Sequence, residues 1–435
     1  MLYMFLTLDK FLEHFPLIQM SKDEFARSFT VTYAKPQSLY SIFHLEPGYC
    51  NKPIIKDINK DKRYLNRDEI VDYFYEIIIT NRHKYLTCFY QAYFEFKDPL
   101  KLKWSGINIK SPKTMDDGYQ IISTQKNDPS KRIIRNLFYL ELLDKTTISN
   151  TVKASVSFWQ SLINMYNKLT LEDRMFAPSS IDQFLKAKGT QREVRSGIKE
   201  INYNALFYLF QAYQPKASIF NPYSIKWIMD NVIDKELGYS GKSIFTPVLS
   251  WGSYLVAFMH SKYERYVGVD VMPSVCSEVE FLADWYRSHN KSFAKKETKI
   301  ICQPSETLLN SKFMSENANS FDVVLVCPPY FDMEVYHEGP QSLELYPVYE
   351  QWLDLYWRQT VDMCHAVTKK GGIFALIGND YHTLDGQHYA LTKDLDTVVR
   401  RCYDPVTMYY LQNRTSPLRV NAKDRTERLF IYKKI

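Results

Sequence analysis

Glycine and proline are scarce in this sequence, and no long apolar run is present. Its 435 residues include 14 glycines and 19 prolines, while 45% are hydrophobic and 15% are aromatic. This composition excludes collagen-like and intrinsically disordered chains. No apolar run approaches the roughly 18–20 residues of a membrane-spanning helix, so we expect no membrane segment. Met1–Leu8 is apolar but lacks a preceding basic region and a small-residue cleavage site, so we expect no signal peptide.

The cysteines and histidines form no pattern typical of a metal or redox site. No CxxC pair occurs, which gives zinc-ribbon and thioredoxin-like sites no support. The nine histidines include no HExxH and no HxH, so we expect no dedicated metal site. Dispersed single cysteines in a chain of this size are typical of reduced thiols, which predicts a cytoplasmic protein. The seven cysteines are Cys50, Cys88, Cys276, Cys302, Cys327, Cys364 and Cys402.

The excess of basic over acidic residues lies entirely in the first half of the chain. The whole sequence carries a net charge of +6, whereas residues 1–200 hold 30 basic and 23 acidic residues. The excess is greatest in residues 101–200, with 17 basic residues against 10 acidic ones. It predicts a surface that binds a phosphate backbone, although an ordinary solvated face would have the same composition. The candidate nucleic-acid-binding residues are Lys126, Lys131, Arg132 and Arg135.

The second half of the chain has the alternation of strands and helices that is typical of an α/β domain. Short β-rich apolar runs alternate there with helical stretches, which predicts an open, mostly parallel sheet covered on both faces. We therefore predict two domains, an N-terminal accessory and recognition domain over residues 1–200 and an α/β domain over 201–435. The predicted strands are Ser243–Leu249, Arg265–Asp270, Thr298–Cys302, Phe321–Cys327, Gly372–Gly378, Val406–Leu411 and Arg428–Tyr432.

The first 200 residues indicate a mixed, largely helical domain. Asn66–Ile79 begins with a capping residue and carries apolar side chains at helical spacing. Tyr90–Phe96 alternates apolar and polar residues, which predicts a strand. Lys186–Lys199 is polar and is the best candidate for a linker between the domains, or for a basic binding loop.

The residues that follow the predicted strands are the candidates for ligand binding, because ligands of open α/β sheets bind beyond the carboxyl ends of the strands. The first strand runs into Thr246–Ser253 and then into an apolar helix. The second ends at Asp270, where an acidic side chain can accept both hydroxyls of a ribose. The third is followed by Gln303–Glu306, whose polar groups could meet an adenine ring. An Asp in this place can also simply cap a turn.

The fourth predicted strand ends in Cys327-Pro328-Pro329-Tyr330. Two prolines fix φ and remove backbone donors, so their carbonyl groups are held rigidly. The residue before them and the Pro328 carbonyl can accept hydrogens from an exocyclic amine, and the Tyr330 ring can stack on its planar base. Held in this way, the amine could attack an electrophilic methyl group in line. A rigid turn after a buried strand is the alternative interpretation.

Several segments together resemble one enzyme family. Phe321–Cys327 followed by Pro328-Pro329-Tyr330 resembles motif IV, (Asp/Asn/Ser)-Pro-Pro-(Tyr/Phe/Trp), of S-adenosylmethionine-dependent methyltransferases acting on adenine N6 or cytosine N4. A subgroup of phage and viral DNA methylases is similar in several further segments. These are Thr246–Gly252 for motif I, Phe220-Asn221-Pro222 for motif X, Gln341-Ser342, Tyr349 with Trp352, and Gly371–Leu376 for the fifth strand.

The resemblance covers roughly residues 205–435 and implies a Rossmann-like, seven-stranded class I methyltransferase domain that uses S-adenosylmethionine. It implies double-stranded DNA as the substrate, and it leaves target recognition to the N-terminal half, because the catalytic half has little room for a recognition insert. It implies that Cys327, Pro328, Pro329 and Tyr330 are catalytic. The implied cofactor-binding residues are Phe220, Asn221, Thr246, Pro247, Trp251, Gly252 and Asp270.

Three positions depart from the family pattern. Thr246 stands where the family has an Asp that orders the cofactor loop. Ser250 replaces the first Gly of a tight turn, where a Cβ demands an unfavourable φ. Cys327 replaces an Asp, Asn or Ser, and a thiol is a weak acceptor. Two hypotheses therefore stay open: an active DNA methyltransferase, with adenine favoured over cytosine, and a catalytically degenerate, possibly viral relative that binds nucleic acid or serves as a scaffold. Methylation of RNA or protein on the same fold is a third.

Overall fold

The computed structural model describes the chain in separate stretches, and it divides into two compact units. The larger consists of Met1–Phe5, Phe96–Ser149 and Lys216–Ile435, and the smaller of Leu6–Glu95 and Asn150–Pro215. The described residues are 5–14, 21–23, 54–55, 63–64, 87, 90–91, 94–104, 110–114, 117–123, 129–139, 146–147, 219–335, 341–382, 387–412 and 427–435. Lys126, the predicted helix 66–79 and the predicted linker 186–199 lie outside them.

The larger unit is built on one nine-stranded sheet. Seven of its strands coincide with the seven predicted from residue 243 onwards, which confirms the α/β class. The other two come from residues 110–123. The strands are β1 (Lys110–Thr114), β2 (Gln120–Ser123), β3 (Ser243–Thr246), β4 (Arg265–Asp270), β5 (Glu297–Cys302), β6 (Phe321–Val326), β7 (Thr368–Gly378), β8 (Tyr403–Gln412) and β9 (Glu427–Lys434).

The order of the strands across the sheet is β1-β2-β8-β9-β7-β6-β3-β4-β5. Neighbouring strands from β7 to β5 are parallel, and β9 runs antiparallel to both β7 and β8. The seven strands from residue 243 onwards thus form a sheet in which only the last is reversed, which is the class I methyltransferase arrangement. The strand order changes direction between β3 and β6, so the crevice for a ligand is expected there.

Hydrophobic residues on the central strands pack against both faces of the sheet. Every residue of β6 is buried, and its register places Val323 opposite Ile244 of β3 and Ile373 of β7. Val323 belongs to the core on one face, whereas Val324 belongs to the core on the other. This alternation follows from the two-residue period of a strand. Near-continuous apolar runs such as that of β6 therefore mark strands covered on both faces.

Helices cover both faces of this sheet. Two helical segments have π-helical hydrogen bonding, Ile228–Glu236 and Trp352–Arg358. Among the described residues no helix is both long enough and apolar enough to cross a membrane. The helices used below are α1 (Ser130–Leu137), α2 (Pro222–Trp227), α3 (Ser253–Met259), α4 (Pro273–His289), α5 (Lys312–Asn317), α6 (Gln359–Val367) and α7 (Leu391–Val399).

Shorter elements connect these helices and strands. Single helical turns precede the π-helix 352–358 and follow several strands. Two-residue strands form small antiparallel pairs, Thr146–Thr147 with Glu334–Val335 and Tyr381–His382 with His388–Tyr389. The short helical turns are Pro99–Lys101, Ser250–Gly252, Lys291–Phe293, Ser305–Asn310, Ser342–Leu345 and Tyr349–Gln351.

One buried carboxylate ties three central strands together at the end of the sheet opposite the crevice. Asp322, at the start of β6, accepts hydrogen bonds from the amides of Lys242 and Ser243, both at 2.9 Å, and from the Ser243 hydroxyl at 2.7 Å. The ammonium group of Lys369, on β7, lies 2.8 Å from its other oxygen. Burial alone would raise the pKa of Asp322, but these hydrogen bonds together lower it. The ionised side chain therefore stabilises the fold.

In the smaller unit, a short helix over Leu8–His14 packs on two aromatic side chains. The ring of Phe11 lies 5.5 Å from that of Tyr90 and 5.4 Å from that of Phe94, measured between centroids. The Tyr90 hydroxyl donates to the carbonyl of Leu6 at 2.8 Å. In the same unit, residues 54–55 pair antiparallel with residues 63–64. These described parts mix helix and strand, as the sequence predicted for the N-terminal half.

The predicted strand Tyr90–Phe96 is wrong where the chain is described. Tyr90 and Gln91 are helical, and the amides of Phe94 and Glu95 donate back to the Tyr90 carbonyl at 2.8 and 2.7 Å. Tyr90 and Phe94 are buried while Gln91 is exposed. The buried aromatic residues thus recur four positions apart, which is helical spacing, and the alternation of polar residues between them was coincidental.

Two strands from the first 200 residues extend the sheet of the larger unit. β2 pairs in parallel with the outer strand β8, and β1 pairs antiparallel with β2. The sheet therefore includes residues from both sides of the boundary that the sequence placed at residue 200. Pairing with β2 removes the open edge that β8 would otherwise present.

Candidate functional site

A cavity of about 340 Å³ opens at the carboxyl ends of β3 and β6, where the strand order changes direction. This volume is within the range of small-molecule sites, roughly 300–1,000 Å³. Its walls come from the segments after the five parallel strands β3 to β7 and from the region after the Pro-Pro-Tyr turn. The lining residues include Phe220, Pro247, Val248, Ser250, Trp251, Asp270, Met272, Gln303, Glu306, Cys327, Pro328, Pro329, Tyr330, Gln341, Leu345, Tyr356, Asn379 and Glu427.

The turn after β3 contributes Pro247, Ser250 and Trp251 to the cavity wall. Ser250 and Trp251 have φ values of 48° and 55°, and Gly252 follows with φ of 77°. Three successive residues are therefore left-handed, although only the third is a glycine. Each non-glycine residue in this region costs roughly 1–2 kcal/mol. The unfavourable φ that the sequence predicted at Ser250 is thus present in the structure.

Thr246 and Gly252 do not line the cavity. Thr246 is fully buried, and its Oγ1 lies 2.8 Å from the Tyr266 hydroxyl. A Cβ at Gly252 would lie 3.1 Å from a methyl carbon of Val279 on α4 and 3.6 Å from the ring of Phe138. Both residues were predicted to bind cofactor; the structure places Thr246 inside the sheet and Gly252 where helices pack closely on the turn.

Asp270 holds the turn after β3 in place. Its Oδ2 accepts from the Leu249 amide at 3.3 Å, and its Oδ1 accepts from the Met272 amide at 3.1 Å. The family Asp that normally orders this loop is Thr246 here, and the carboxylate on the neighbouring strand contacts the loop instead. Asp270 also lines the cavity, in the position from which an acidic residue accepts ribose hydroxyls.

The motif X segment places one side chain on the cavity wall. Phe220 lines the cavity, whereas Asn221 is buried and caps α2. The Asn221 Oδ1 accepts from the amides of Tyr223 at 2.8 Å and Ser224 at 3.4 Å, which satisfies two donors at the start of the helix. Asn221 therefore fixes the helix that follows Phe220 and is not itself on the wall.

The four residues that the sequence predicted to be catalytic, Cys327, Pro328, Pro329 and Tyr330, all line the cavity. The turn uses the carbonyls of Pro329 and Tyr330, which accept from the amides of Phe331 at 3.2 Å and Met333 at 2.7 Å. The Pro328 carbonyl takes no part in these turn bonds. Phe331 has φ of 24°, so the chain bends sharply directly after Tyr330.

Aromatic packing supports this turn from behind. The Tyr330 ring stacks at 6.2 Å on that of Tyr381, whose hydroxyl donates to Asp332 at 2.6 Å. The Asp332 carboxylate therefore fixes Tyr381, the residue under Tyr330. Phe331 is buried and packs on Tyr349 at 5.3 Å. These contacts hold the Tyr330 ring at the wall without covering it.

Glu306 and Tyr356 are polar residues of the cavity wall that are almost fully buried. Gln303–Glu306 was predicted to be polar near an adenine ring, and Gln303, Ser305 and Glu306 do line the cavity. Tyr356 was not predicted. No pattern in the sequence could have identified it, because packing decides which residue of the π-helix Trp352–Arg358 faces the cavity.

The basic residues predicted to bind nucleic acid lie on α1, except for Lys126. Lys131, Arg132 and Arg135 are partly exposed, while Ile133 and Ile134 of the same helix are buried. Phe138, at the end of α1, packs on Trp251 with ring centroids 5.9 Å apart. The helix that carries these basic residues therefore packs directly on the turn after β3.

In the described part of the chain no group of three or more His, Cys, Asp or Glu side chains is arranged to hold a metal ion.

No family model matches the chain, and no curated protein was found to be similar to it. The comparison with solved structures finds chains that are similar to about half of this one. They include the N-methyltransferase NodS from Bradyrhizobium japonicum WM9 in complex with S-adenosyl-L-homocysteine, at 13% identity and a TM-score of 0.32. The alignment covers 49% of this chain and 88% of that one.

Two further solved structures are similar to the same extent. TrmN from Thermus thermophilus is 14% identical, with a TM-score of 0.31 and 49% of each chain covered. The 1,6-didemethyltoxoflavin-N1-methyltransferase from Burkholderia thailandensis is also 14% identical, with a TM-score of 0.31. In that case the alignment covers 48% of this chain and 78% of the other. At these identities and TM-scores, the ligands and reactions of those proteins are not carried over to this chain.

Proposed function

We propose that this protein is an S-adenosylmethionine-dependent methyltransferase that modifies an exocyclic amine in DNA, adenine N6 or cytosine N4. The observation that carries the proposal is the composition of one cavity. The Asp270 carboxylate, the turn after β3 and the Cys327–Tyr330 segment all line it, at the point where the strand order changes direction.

The residues on the wall fit the proposed cofactor. Asp270 offers a carboxylate for ribose hydroxyls, and the apolar side chains of Val271, Met272 and Val275 follow it along the wall. Phe220 adds an aromatic face. An apolar pocket with a few placed polar groups is what a nucleoside ligand requires.

The Cys327–Tyr330 segment fits an amine as substrate. When bound, S-adenosylmethionine supplies an electrophilic methyl group on its sulfonium. The amine nitrogen would take this methyl group, leaving S-adenosylhomocysteine, and would lose one proton to water. Cys327 Sγ and the Pro328 carbonyl accept the amine hydrogens in this proposal, while Tyr330 stacks on the base. Most of the rate then comes from positioning.

The position of the basic helix α1 supports DNA as the substrate. Lys131, Arg132 and Arg135 lie on a helix that packs on the turn lining the cavity. A phosphate backbone bound there would lie beside the site where a base is modified. Reaching that site inside a duplex requires the base to be flipped out of the stack.

Methyl transfer from tritiated S-adenosylmethionine to an AT-rich duplex tests the proposal. We expect wild-type protein to label the duplex and Asp270→Ala to lose at least about tenfold in labelling, because a charge-assisted hydrogen bond contributes about 1.5–3 kcal/mol. Asp404→Ala is the matched control. Asp404 is exposed at the start of β8, at the opposite end of the sheet. Calorimetric titration with S-adenosylhomocysteine is measured on the same three proteins.

The two readouts separate the ways in which the proposal could fail. If wild-type protein gives no binding heat with S-adenosylhomocysteine at millimolar concentration, the cofactor assignment is wrong. If it binds but labels neither duplex nor single-stranded DNA, the enzyme assignment is wrong. Labelling of RNA in preference to DNA would contradict the substrate.

The second candidate function is a catalytically degenerate relative that binds nucleic acid or serves as a scaffold. Cys327 favours it, because a thiol replaces the stronger acceptor that the family places before Pro-Pro. Duplex binding that depends on salt, together with bound S-adenosylhomocysteine and no methyl transfer, is the result that this candidate predicts.

A further inference from the structure

An amide side chain that follows β7 lines the cavity. Asn379 comes directly after Gly378, the last residue of β7, and belongs to the cavity wall. Its Oδ1 is buried and has no hydrogen-bond partner among the described residues. Buried polar atoms are almost always hydrogen-bonded, and each exception requires an explanation. On a cavity wall, a ligand in the cavity is the available partner.

The strand register brings Asn379 close to Cys327. β6 and β7 are parallel neighbours, and the last residue of β6 is the register partner of Leu376. Cys327 and Asn379 are the first residues after these two strands. The two-residue period of a strand puts them on the face that carries Leu325 and Ile377, which belong to one core cluster. Both side chains therefore approach the cavity from the same face of the sheet.

Contacts on both sides of Asn379 fix the backbone that carries it. The preceding Gly378 is the register partner of Arg428 on β9. The following Asp380 lies 2.9 Å from the Arg428 guanidinium, and its carboxylate accepts from the amide and hydroxyl of Thr392 on α7 at 2.8 and 2.7 Å. Because Asp380 faces α7, the residue before it faces the opposite side of the sheet, where the cavity lies.

An amide oxygen at this place complements the weak acceptor at Cys327. An amine whose two hydrogens are both held by acceptors keeps its nitrogen lone pair directed at the methyl group, and such positioning supplies much of the rate. The Pro328 carbonyl takes no part in the turn bonds and can hold one hydrogen. The thiol of Cys327 accepts the other only weakly, whereas an amide oxygen has two lone pairs for this purpose.

We propose that Asn379 Oδ1 accepts the second hydrogen of the substrate amine, which Cys327 Sγ alone holds poorly. Asn379 is then a catalytic residue, and it supplies the strong acceptor that the family places before Pro-Pro. The reaction is unchanged: the amine nitrogen takes the methyl group, S-adenosylhomocysteine is left, and one proton passes to water. The inference rests on the proposed function, because it takes from it the amine and the place of the amine beside Cys327.

Asn379→Leu removes the amide and keeps the size of the side chain. We expect the rate of methyl transfer to an AT-rich duplex to fall about tenfold or more, because one hydrogen bond to the amine is lost. The affinity for S-adenosylhomocysteine is expected to stay the same. The melting temperature is expected to stay the same or rise, since Oδ1 has no partner among the described residues. Asn379→Asp keeps an acceptor and is expected to retain most of the rate.

Asn317→Leu is the matched control. Asn317 is also buried, at the end of α5, but its amide is fully bonded. Its Oδ1 accepts from Arg265 at 2.5 Å, and its Nδ2 donates to the Phe313 carbonyl at 2.8 Å. Arg265 begins β4, so this amide lies at the end of the sheet opposite the cavity. The change is expected to lower the melting temperature and leave the rate of methyl transfer unchanged.

A binding measurement examines the same contact without catalysis. With S-adenosylhomocysteine present, fluorescence anisotropy gives the affinity for a dA or dC oligonucleotide and for the matching strand whose base lacks the exocyclic amine. Wild-type protein is expected to prefer the amine-bearing strand of one pair by at least about fivefold. Asn379→Leu is expected to lose most of this preference, and Asn317→Leu is expected to keep it.

Combining Asn379→Leu with Cys327→Ser tests whether the two side chains hold the same hydrogen. Serine is a better acceptor than cysteine, so the amide should matter less beside it. We expect Asn379→Leu to lower the rate by a smaller factor in the Cys327→Ser protein than in wild type. Equal factors in the two proteins would show that the side chains act independently, which contradicts the inference.

The possible failures of this inference differ from those of the proposed function. If wild-type protein does not bind S-adenosylhomocysteine, or binds it and methylates no DNA, the proposed function fails. If wild-type protein methylates DNA and Asn379→Leu does so at the same rate, only the inference is overturned. A loss of S-adenosylhomocysteine affinity that matches the loss of rate would assign the amide to the cofactor and overturn it too. If Asn379→Asp loses as much as Asn379→Leu, the amide acts as a donor, which also contradicts it.

Discussion

Cys327 occupies the part of the cavity wall where a substrate amine would give up its hydrogens. The residue is partly exposed and directly precedes the rigid Pro-Pro pair. A thiol is a poor hydrogen-bond acceptor compared with a carboxylate, an amide or a hydroxyl. The side chain is nevertheless close in shape to serine, so it fills the same space. Cys327 thus has about the size and shape of the acceptor that the family places here, but it accepts hydrogen bonds more weakly.

Replacing Cys327 by Ser, with Cys327→Ala as control, measures this difference. We expect Cys327→Ser to raise the rate of methyl transfer severalfold, because a hydroxyl accepts a hydrogen bond from the amine more strongly than a thiol does. Cys327→Ala is expected to lower the rate. Binding of S-adenosylhomocysteine should be the same in all three proteins. If Cys327→Ser is as inactive as Cys327→Ala, the thiol itself is required and the comparison with serine is wrong.

The sequence could identify the site residues only as far as strand ends can be recognised. Pro247, Trp251, Asp270 and Cys327 line one cavity because parallel strands bring their carboxyl ends together.

The direction in which a side chain leaves a turn is not encoded in such a pattern. Thr246 contacts the Tyr266 hydroxyl on the neighbouring strand, so its place depends on a tertiary neighbour. Asn221 bonds the amides at the start of its own helix and is thereby turned away from the cavity. Tyr356 was missed for a related reason: only packing decides which residue of a π-helix faces a cavity.

At the scale of elements, the turn after β3 is the most strained part of the site that the structure describes. Ser250, Trp251 and Gly252 all have positive φ, and the turn is held by Asp270 on one side and by Phe138 on the other. Strain of this kind persists only where the surroundings enforce it. The contacts around the turn therefore outweigh the local preference of Ser250.

Ser250→Gly should release part of that strain. We expect it to raise the free energy of unfolding by up to about 1 kcal/mol, since glycine adopts a positive φ without a Cβ clash. Ser253→Gly is the control. Ser253 has φ of −59° at the start of α3, so glycine there should lower stability by roughly 1 kcal/mol. Urea unfolding followed by tryptophan fluorescence measures both. Equal destabilisation by the two changes would contradict a strained turn.

The seven strands from residue 243 onwards could be predicted because each is an apolar run bounded by polar turns. β6, with every residue buried, is the clearest case. β1 could not be predicted in the same way, because Lys110–Thr114 contains two lysines and a proline. Its strand conformation comes from pairing with β2 at the edge of the sheet.

At the scale of the whole molecule, the described core depends on a charged contact as well as on apolar packing. Asp322 links β6 to the start of β3 and to Lys369 on β7. It is 8% exposed, and its partners Lys242, Ser243 and Lys369 lie at the end of the sheet opposite the cavity. Its contribution to stability is therefore separate from ligand binding.

Asp322→Asn should show this contribution as a function of pH. The folded-state pKa of Asp322 is lowered, so its stabilisation is fully present above the unfolded-state pKa of about 3.9 and is lost as the pH falls through the folded value. We expect the variant to be less stable by about 2–3 kcal/mol between pH 5 and 7. The difference should shrink below about pH 4.

Urea unfolding at pH 7, 5 and 3.5 measures the difference. Asp404→Asn, at an exposed position at the start of β8, serves as control and should change stability by less than about 0.5 kcal/mol. A difference between wild type and Asp322→Asn that grew as the pH fell would contradict the role given to the ionised carboxylate.

The pairing of β2 with β8 has a consequence for how this protein can be divided. A fragment that began at residue 201 would contain the whole cavity wall, yet it would leave β8 as an open edge. It would also remove Phe138 and Ile134 from beside Gly252, and so uncover the back of the turn that carries Trp251. A fragment that keeps the larger unit intact must therefore carry residues 96–149 as well as the C-terminal part of the chain.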